Sequence, residues 1–129
     1  MRFIFALISM AILSGGLFAQ DAKTMKNPVA ADAKSIEAGK ATYTKTCATC
    51  HGPAGKGDGA IVKSLKPEQV KPSDLTDAKW DHGSTDGEVF VTIRDGVSPT
   101  SMMKGQKGKL MDNDMWNLVN YLKSLGPKK

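Results

Sequence analysis

Apolar residues recur at helical spacing along this chain, and no segment shows the strict alternation typical of a β-strand. The clearest pattern lies near the C-terminus, where apolar residues follow three- and four-residue steps at Met115, Leu118, Val119, Leu122 and Leu125. We predict a helix that is capped by Asp112, runs to Leu125 and ends at Gly126-Pro127. The pattern as a whole predicts an all-α protein.

Local signals predict two further helices. The first is expected to begin at about Ser35, as its N-cap, and to end at Cys47. The second opens with a capping box, in which Thr85 is the cap and Glu88 reaches back to it, and it ends at Gly96. The residues of this second helix that are expected to face the core are Val89, Phe90 and Ile93.

Glycine and proline mark the connections between these helices. Residues 52–59 (GPAGKGDG) contain four glycines and are predicted to form a tight loop. Residues 61–65 are expected to form a short helical turn. Residues 66–77 contain two prolines and are predicted to be a further loop.

The N-terminus has the pattern of a secretory signal peptide, which we predict over residues 1–19. Arg2 provides the positive start, an apolar run follows, and Ala19 is a small residue suited to the cleavage position. The apolar stretch is shorter than the roughly 20 residues that a membrane-spanning helix needs. We therefore expect a cleaved signal peptide and no stable membrane anchor.

Cleavage would leave 110 of the 129 residues, enough for one domain. Residues 20–34 are polar and alanine-rich and are predicted to be a flexible leader, with the folded domain over residues 35–129. The formal net charge of +5 is mild, and aromatic residues make up 6% of the chain. These values do not fit a nucleic-acid-binding protein, so no nucleic acid is expected as a partner.

Both cysteines of the chain lie in the motif Cys47-Ala48-Thr49-Cys50-His51. Two thiols at this spacing can each form a thioether to one porphyrin, and the histidine that follows can ligate the iron. The motif therefore predicts one covalently attached haem c, with Cys47 and Cys50 as the thioethers and His51 as the proximal axial iron ligand.

Two other types of site use similar residues. A thioredoxin-like dithiol also has two cysteines separated by two residues, but it requires a preceding strand, and the sequence before Cys47 predicts a helix. A structural zinc site needs four ligands, for which Cys47, Cys50, His51 and His82 are available. Cys50 and His51 are adjacent in sequence, which makes a tetrahedral site difficult to close.

From about Ser35 to Leu125, the chain resembles the class I c-type cytochromes, in their small single-haem bacterial form. The matching segments are AGKATYTKTCATCHG at 38–52, KPSDLTD at 71–77, DGEVFVTIRDGV at 86–97 and WNLVNYLKSL at 116–125. The resemblance implies a cytochrome c fold of three to five helices around the haem. It also implies that the first and last helices cross, with Gly39 and Tyr43 against Leu118 and Tyr121.

The resemblance further implies that a methionine on the loop before the last helix is the distal axial ligand. Met102 and Met103 both lie there. Counting back from Leu110 favours Met103, with Met102 as the runner-up. The chain departs from the family pattern, because Lys104 follows Met103 where the family usually has proline. His82 is an alternative ligand and would lower the reduction potential.

The resemblance also implies a role for Pro72, while Trp80 has two possible roles that follow from its side chain. Pro72 is expected to accept, through its carbonyl, a hydrogen bond from the other ring nitrogen of the axial histidine, and Pro67 is the alternative. Trp80 could donate its indole N–H to a haem propionate or could pack in the core.

Ligation by histidine and methionine would leave no open position on the iron. The resemblance therefore implies a periplasmic electron carrier, not an enzyme, that passes one electron at a time between redox protein partners by outer-sphere transfer. The alternative is an electron-entry subunit of a larger oxidoreductase complex. Five lysines could dock an acidic partner or could only favour solubility: Lys45, Lys56, Lys104, Lys107 and Lys109.

Overall fold

The computed structural model describes residues 18–126. In chain order its helices are α1 (Phe18–Thr24), α2 (Ala33–Thr46), α3 (Ala48–His51), a 3₁₀ helix (Ala60–Ser64), α4 (Asp86–Asp95) and α5 (Asp112–Leu125). No β-strand occurs over this range, which contains only isolated bridges, so the prediction of an all-α fold is confirmed. The predicted signal peptide lies outside the described residues except for its last two, and its cleavage stays a prediction.

Two helix starts differ from the predicted ones, by three residues in α2 and by one in α5. Helix α2 begins before Ser35, because the side chain of Asp32 is the cap and accepts a hydrogen bond from the Ser35 N–H at 2.8 Å. Helix α5 has Met111 at its cap position, so Asp112 is the first helical residue and not the cap. A carboxylate there is still favourable, since it lies near the positive end of the helix dipole.

The predicted start and end of α4 are confirmed. The Thr85 hydroxyl accepts from the Glu88 N–H, and the Glu88 carboxylate accepts from the Thr85 N–H at 3.1 Å. The Thr85 hydroxyl also donates to this carboxylate at 2.9 Å, and the hydrogen bonds that the carboxylate accepts from the Thr85 N–H and hydroxyl hold the pKa of Glu88 below its usual value. The helix ends at Gly96, whose φ of 80° is a conformation that favours glycine.

Helices α2 and α5 pack together through a position that has no side chain. A Cβ atom on Gly39 would lie against the backbone carbonyl of Asn117 and 2.8 Å from the Cβ of Tyr121. One turn further along α2, the ring of Tyr43 lies 5.2 Å from that of Tyr121. Tyr43 and Leu118 are both fully buried, as core residues at this contact should be.

Helix α5 is buried on all its sides over residues 115–122, beyond the single apolar stripe that its sequence predicts. Its two buried asparagines are hydrogen-bonded to the chain around them. Asn117 accepts from the Ser35 hydroxyl at 2.7 Å, and Asn120 donates to the same hydroxyl at 2.8 Å. Because both amides have partners, burying this polar side of α5 carries no large penalty.

The segment predicted to be a flexible leader covers this side of α5. Asn27 donates to the side chain of Asn120 at 2.8 Å and to the carbonyl of Trp116 at 3.1 Å. Ala22 is buried, and its carbonyl occupies the space that a side chain at Gly87 would need. Polar contacts of Asn27 and the packing of Met25 and Val29 against the core thus hold parts of this segment against the helices, and its flexibility stays a prediction.

Helix α4 supplies the third part of the core. Its three residues predicted to face inward are buried, namely Val89, Phe90 and Ile93. Phe90 stacks on Trp116 of α5, with ring centroids 3.9 Å apart and planes 12° from parallel. Within the described range, no helix combines the length and the apolar character that crossing a membrane requires.

We predict that Gly39→Ala lowers the free energy of unfolding by about 3 kcal/mol, because the added methyl group forces α2 and α5 apart. Urea unfolding of the haem-containing protein measures the change. Lys40→Ala is the matched control, since Lys40 is the next residue and is exposed. The packing explanation would be contradicted if Gly39→Ala were as stable as wild type, because helix propensity alone favours alanine by about 1 kcal/mol.

Candidate functional site

A cavity of about 740 Å³ opens beside the three core helices. Five of its wall residues belong to the buried core: Tyr43, Val89, Ile93, Leu118 and Leu122. Most of the rest of the wall comes from the loop over residues 69–83 and from the loop over residues 97–106. This volume lies within the range of roughly 300–1,000 Å³ that small-molecule and cofactor sites occupy.

The CxxCH motif lies at one wall of this cavity. Helix α2 ends at Cys47, whose N–H donates to the Tyr43 carbonyl at 2.8 Å, and the short helix α3 then carries the rest of the motif. Cys47, Cys50 and His51 all line the cavity, and the two cysteines are not joined in a disulfide. The structure therefore brings the three predicted residues together against one apolar space.

The Cys47 thiol is held in its neutral form before any reaction. Burial raises the pKa of Cys47 to about 11, and the nearby Cys50 adds to this shift. A thiol with such a pKa is protonated at neutral pH, so a reactive dithiol would be disfavoured here.

His51 has one ring nitrogen tied to the backbone. Its Nδ1 lies 3.0 Å from the carbonyl oxygen of Ser73, and because a carbonyl can only accept, Nδ1 carries the proton. The prediction that Pro72 supplies this carbonyl was wrong by one residue, and Pro67 does not supply it either. The Pro72 carbonyl instead occupies the space that a side chain on Gly57 would fill. The second nitrogen, Nε2, can then serve as a metal ligand.

The glycine-rich loop over residues 52–59 folds back tightly under the motif, as predicted. The Gly57 N–H donates to the His51 carbonyl at 2.8 Å, and a side chain on Gly59 would collide with the carbonyls of Thr49 and Cys50. The hydroxyl of Tyr43 donates to the Gly52 carbonyl at 2.6 Å. Burial, the main cause, raises the pKa of Tyr43 well above its usual value, so this donor stays protonated.

Met102 and Met103 lie on the loop over residues 97–106, and both line the cavity. Met102 is 45% exposed, and its sulfur is 4.0 Å from the side-chain nitrogen of Gln69. Met103 is half-buried, and its N–H donates to the Ser101 hydroxyl at 3.1 Å. Because Met103 is less exposed than Met102, it is favoured as the iron ligand, and the choice between the two stays a prediction.

The other candidates are placed as follows. His82 is exposed and lies at the cavity wall, and its role as a ligand stays a prediction. Trp80 is half-buried and packs against the core, with the Lys123 ammonium 5.9 Å from its ring centre. Zinc gains no support, since residues 18–126 hold no group of three or more His, Cys, Asp or Glu side chains suited to a metal ion.

Three cavity residues on the loop over residues 69–83 were not predicted from the sequence: the carbonyl-bearing Ser73, and the exposed Lys71 and Lys79. A turn signal was present, because Asp74 accepts from the Thr76 N–H at 2.8 Å in the manner of an Asx turn. That signal locates a turn but does not show which carbonyl faces His51.

A family model described as Cytochrome c matches residues 36–126 of the chain. The chain is 28% identical over 103 residues to the CcoP subunit of a cbb3-type cytochrome c oxidase from Azospirillum brasilense. That match covers 80% of this chain and 32% of the oxidase subunit, so the chain spans about a third of this relative.

Solved structures give matching results. A chain of a reducing HAO-like protein complex from Kuenenia stuttgartiensis superposes with a TM-score of 0.70 at 28% identity, over 78% of this chain and 47% of that one. Cytochrome cL from Methylophaga aminisulfidivorans superposes with a TM-score of 0.63 at 21% identity, over 92% of this chain and 73% of that one. The second likeness concerns the fold alone.

Proposed function

The chain belongs to the cytochrome c family, and on that premise we propose that it carries one electron at a time between redox partners in the periplasm. Membership confirms the resemblance to class I c-type cytochromes, and a cytochrome c domain implies electron transfer. Proteins of this family are typically electron carriers and not catalysts, and we assign the same role here. The observation that carries the proposal is the single cavity that holds Cys47, Cys50, His51 and the methionine pair.

The residues around the cavity fit one covalent haem c. The two thiols stand at the spacing that attaches a porphyrin, and the apolar side chains of α4 and α5 offer a dry wall for it. When bound, the haem supplies an iron that changes between the ferric and ferrous states by one electron. In this proposal His51, whose orientation is set by the Ser73 carbonyl, and Met103 would hold the iron.

Two protein ligands leave no position on the iron for a substrate. A neutral thioether favours ferrous iron and gives a higher reduction potential than a second imidazole would. The buried wall keeps water away and holds the ligands in place, so little reorganisation accompanies the change of charge. These features suit outer-sphere electron transfer.

A second candidate is an electron-entry subunit of a larger oxidoreductase complex. It is favoured because the curated relative is a subunit of an oxidase and one structural neighbour belongs to a protein complex. Purification from the native organism under mild conditions separates the two roles. A free carrier elutes alone, whereas a subunit elutes with its partners.

We propose that the redox partner has an acidic face and that it docks this face against lysines of this protein. Three exposed lysines lie at the wall of the cavity: Lys71, Lys79 and Lys104. Lys104 donates to the Pro99 carbonyl at 2.8 Å, which holds its charge near the loop that carries Met103. Positive groups around the cavity would attract an acidic partner to the site of electron transfer.

We expect that Lys71→Glu with Lys79→Glu slows electron transfer to an acidic redox partner at low salt, because charge steering is reversed. Stopped-flow kinetics at low and high salt measure the effect, which should fade as screening increases. Lys34→Glu is the matched control, since Lys34 lies at the other end of α2 from Cys47, roughly 20 Å along the helix axis. Equal slowing by both variants would show that net charge matters and that these lysines form no docking site.

We predict that Met103→Ala keeps its covalently attached haem but loses the sulfur ligand. The reduction potential should fall, and ferrous iron should bind carbon monoxide readily, because no thioether blocks the position. Met102→Ala is the matched control and should stay six-coordinate, with a nearly unchanged potential. If ferrous iron binds carbon monoxide in Met102→Ala and not in Met103→Ala, the ligand is Met102. If it binds carbon monoxide in neither variant, His82 becomes the leading candidate.

A further inference from the structure

The loop that carries the methionine pair closes the C-terminal end of α4. The last carbonyls of a helix have no partner within the helix. Here the carbonyl of Ile93 accepts from the Gln106 N–H at 2.9 Å, and that of Arg94 accepts from the Lys107 N–H at 3.0 Å. The loop backbone therefore caps α4, and its position depends on how closely it can approach the helix end.

Two glycines permit this approach. A Cβ atom on Gly105 would lie 2.6 Å from the carbonyl carbon of Asp95, so the backbone of the loop touches the last residues of α4 directly. On the other side of the contact, a Cβ atom on Gly96 would lie 2.7 Å from both the Gly105 nitrogen and the Met103 oxygen. The Val97 N–H donates to that same Met103 oxygen at 3.3 Å.

We propose that this backbone contact between Gly96 and Gly105 positions the distal iron ligand, an inference that rests on the proposed role of Met103. Met103 lies two residues before Gly105, and its own carbonyl takes part in the contact. Methionine is flexible and can reach a metal from many backbone positions. Gly96 and Gly105 are thus positioning residues that act through Met103, and the contact holds the backbone where the sulfur binds without strain.

The loop offers a matched pair of substitutions to test this. Gly105 is not among the glycines with a positive φ, so Gly105→Ala adds only a methyl group against the end of α4. Gly108 has a φ of 78°, and a Cβ atom there would meet nothing within 4 Å. Gly108→Ala therefore strains the backbone of the same loop without moving it away from α4.

Three properties of the haem-containing protein are measured for both variants, for wild type and for Met103→Ala. They are the sulfur-to-iron charge-transfer band of the ferric form, the midpoint reduction potential and carbon monoxide binding by the ferrous form. We expect Gly105→Ala to weaken the band and to move the other two properties toward the values of Met103→Ala. Gly108→Ala should match wild type in all three, even where it lowers the melting temperature.

The possible outcomes separate the two proposals. If ferrous iron in Met103→Ala still does not bind carbon monoxide, the assignment of Met103 as the ligand under the proposed function fails. If Met103→Ala opens the iron but Gly105→Ala behaves like Gly108→Ala, the positioning role of the glycine contact fails. Loss of helical structure in Gly105→Ala also overturns the inference, because the contact would then serve the fold as a whole. Gly96 is left unchanged, because its φ of 80° with a ψ of 178° is a conformation that essentially only glycine adopts, so a side chain there would add backbone strain as well as fill the contact.

Discussion

The fold is built around a cavity that its helices leave unfilled. Tyr43, Leu118 and Leu122 belong to the buried core, yet each also faces the cavity of about 740 Å³. In a domain of this size such a space removes a large part of the contacts that stabilise a core. A covalently attached porphyrin would supply an apolar plate for it, so we expect the cofactor to have a structural as well as a redox role.

Close backbone contacts position the residues that we propose as iron ligands. The glycine-rich loop folds under the CxxCH motif, and the Ser73 carbonyl orients the ring of His51. Elsewhere in the cavity wall, the contact of Gly105 with the C-terminal end of α4 holds the loop over residues 97–106, which carries Met102 and Met103. Backbone groups have fewer ways to move than side chains, so ligands held in this way change little when the charge on the iron changes.

Sequence patterns predicted α2, α4, α5 and the attachment motif because these are local signals, whereas α1 and α3 were not predicted. The capping box at Thr85 and the apolar residues of α4 needed only neighbouring positions. The packing of residues 20–34 against α5 was not predicted, because it depends on a hydrogen bond from Asn27 to Asn120, which is 93 positions away. The acceptor for His51 was misplaced by one residue, since the register of a proline-containing loop is set by its contact with Gly57. Nothing in the local sequence encodes either pairing.

The most direct test of the central claim is the stability of the chain without its cofactor. A double variant, Cys47→Ala with Cys50→Ala, removes covalent attachment, and far-UV circular dichroism with thermal unfolding measures what structure is left. We predict little stable helix and no cooperative unfolding transition. A core with an unfilled cavity would gain too little free energy from apolar burial to offset the conformational entropy lost on folding. A helical protein that melts cooperatively would show that α2, α4 and α5 hold together unaided, and would contradict the account.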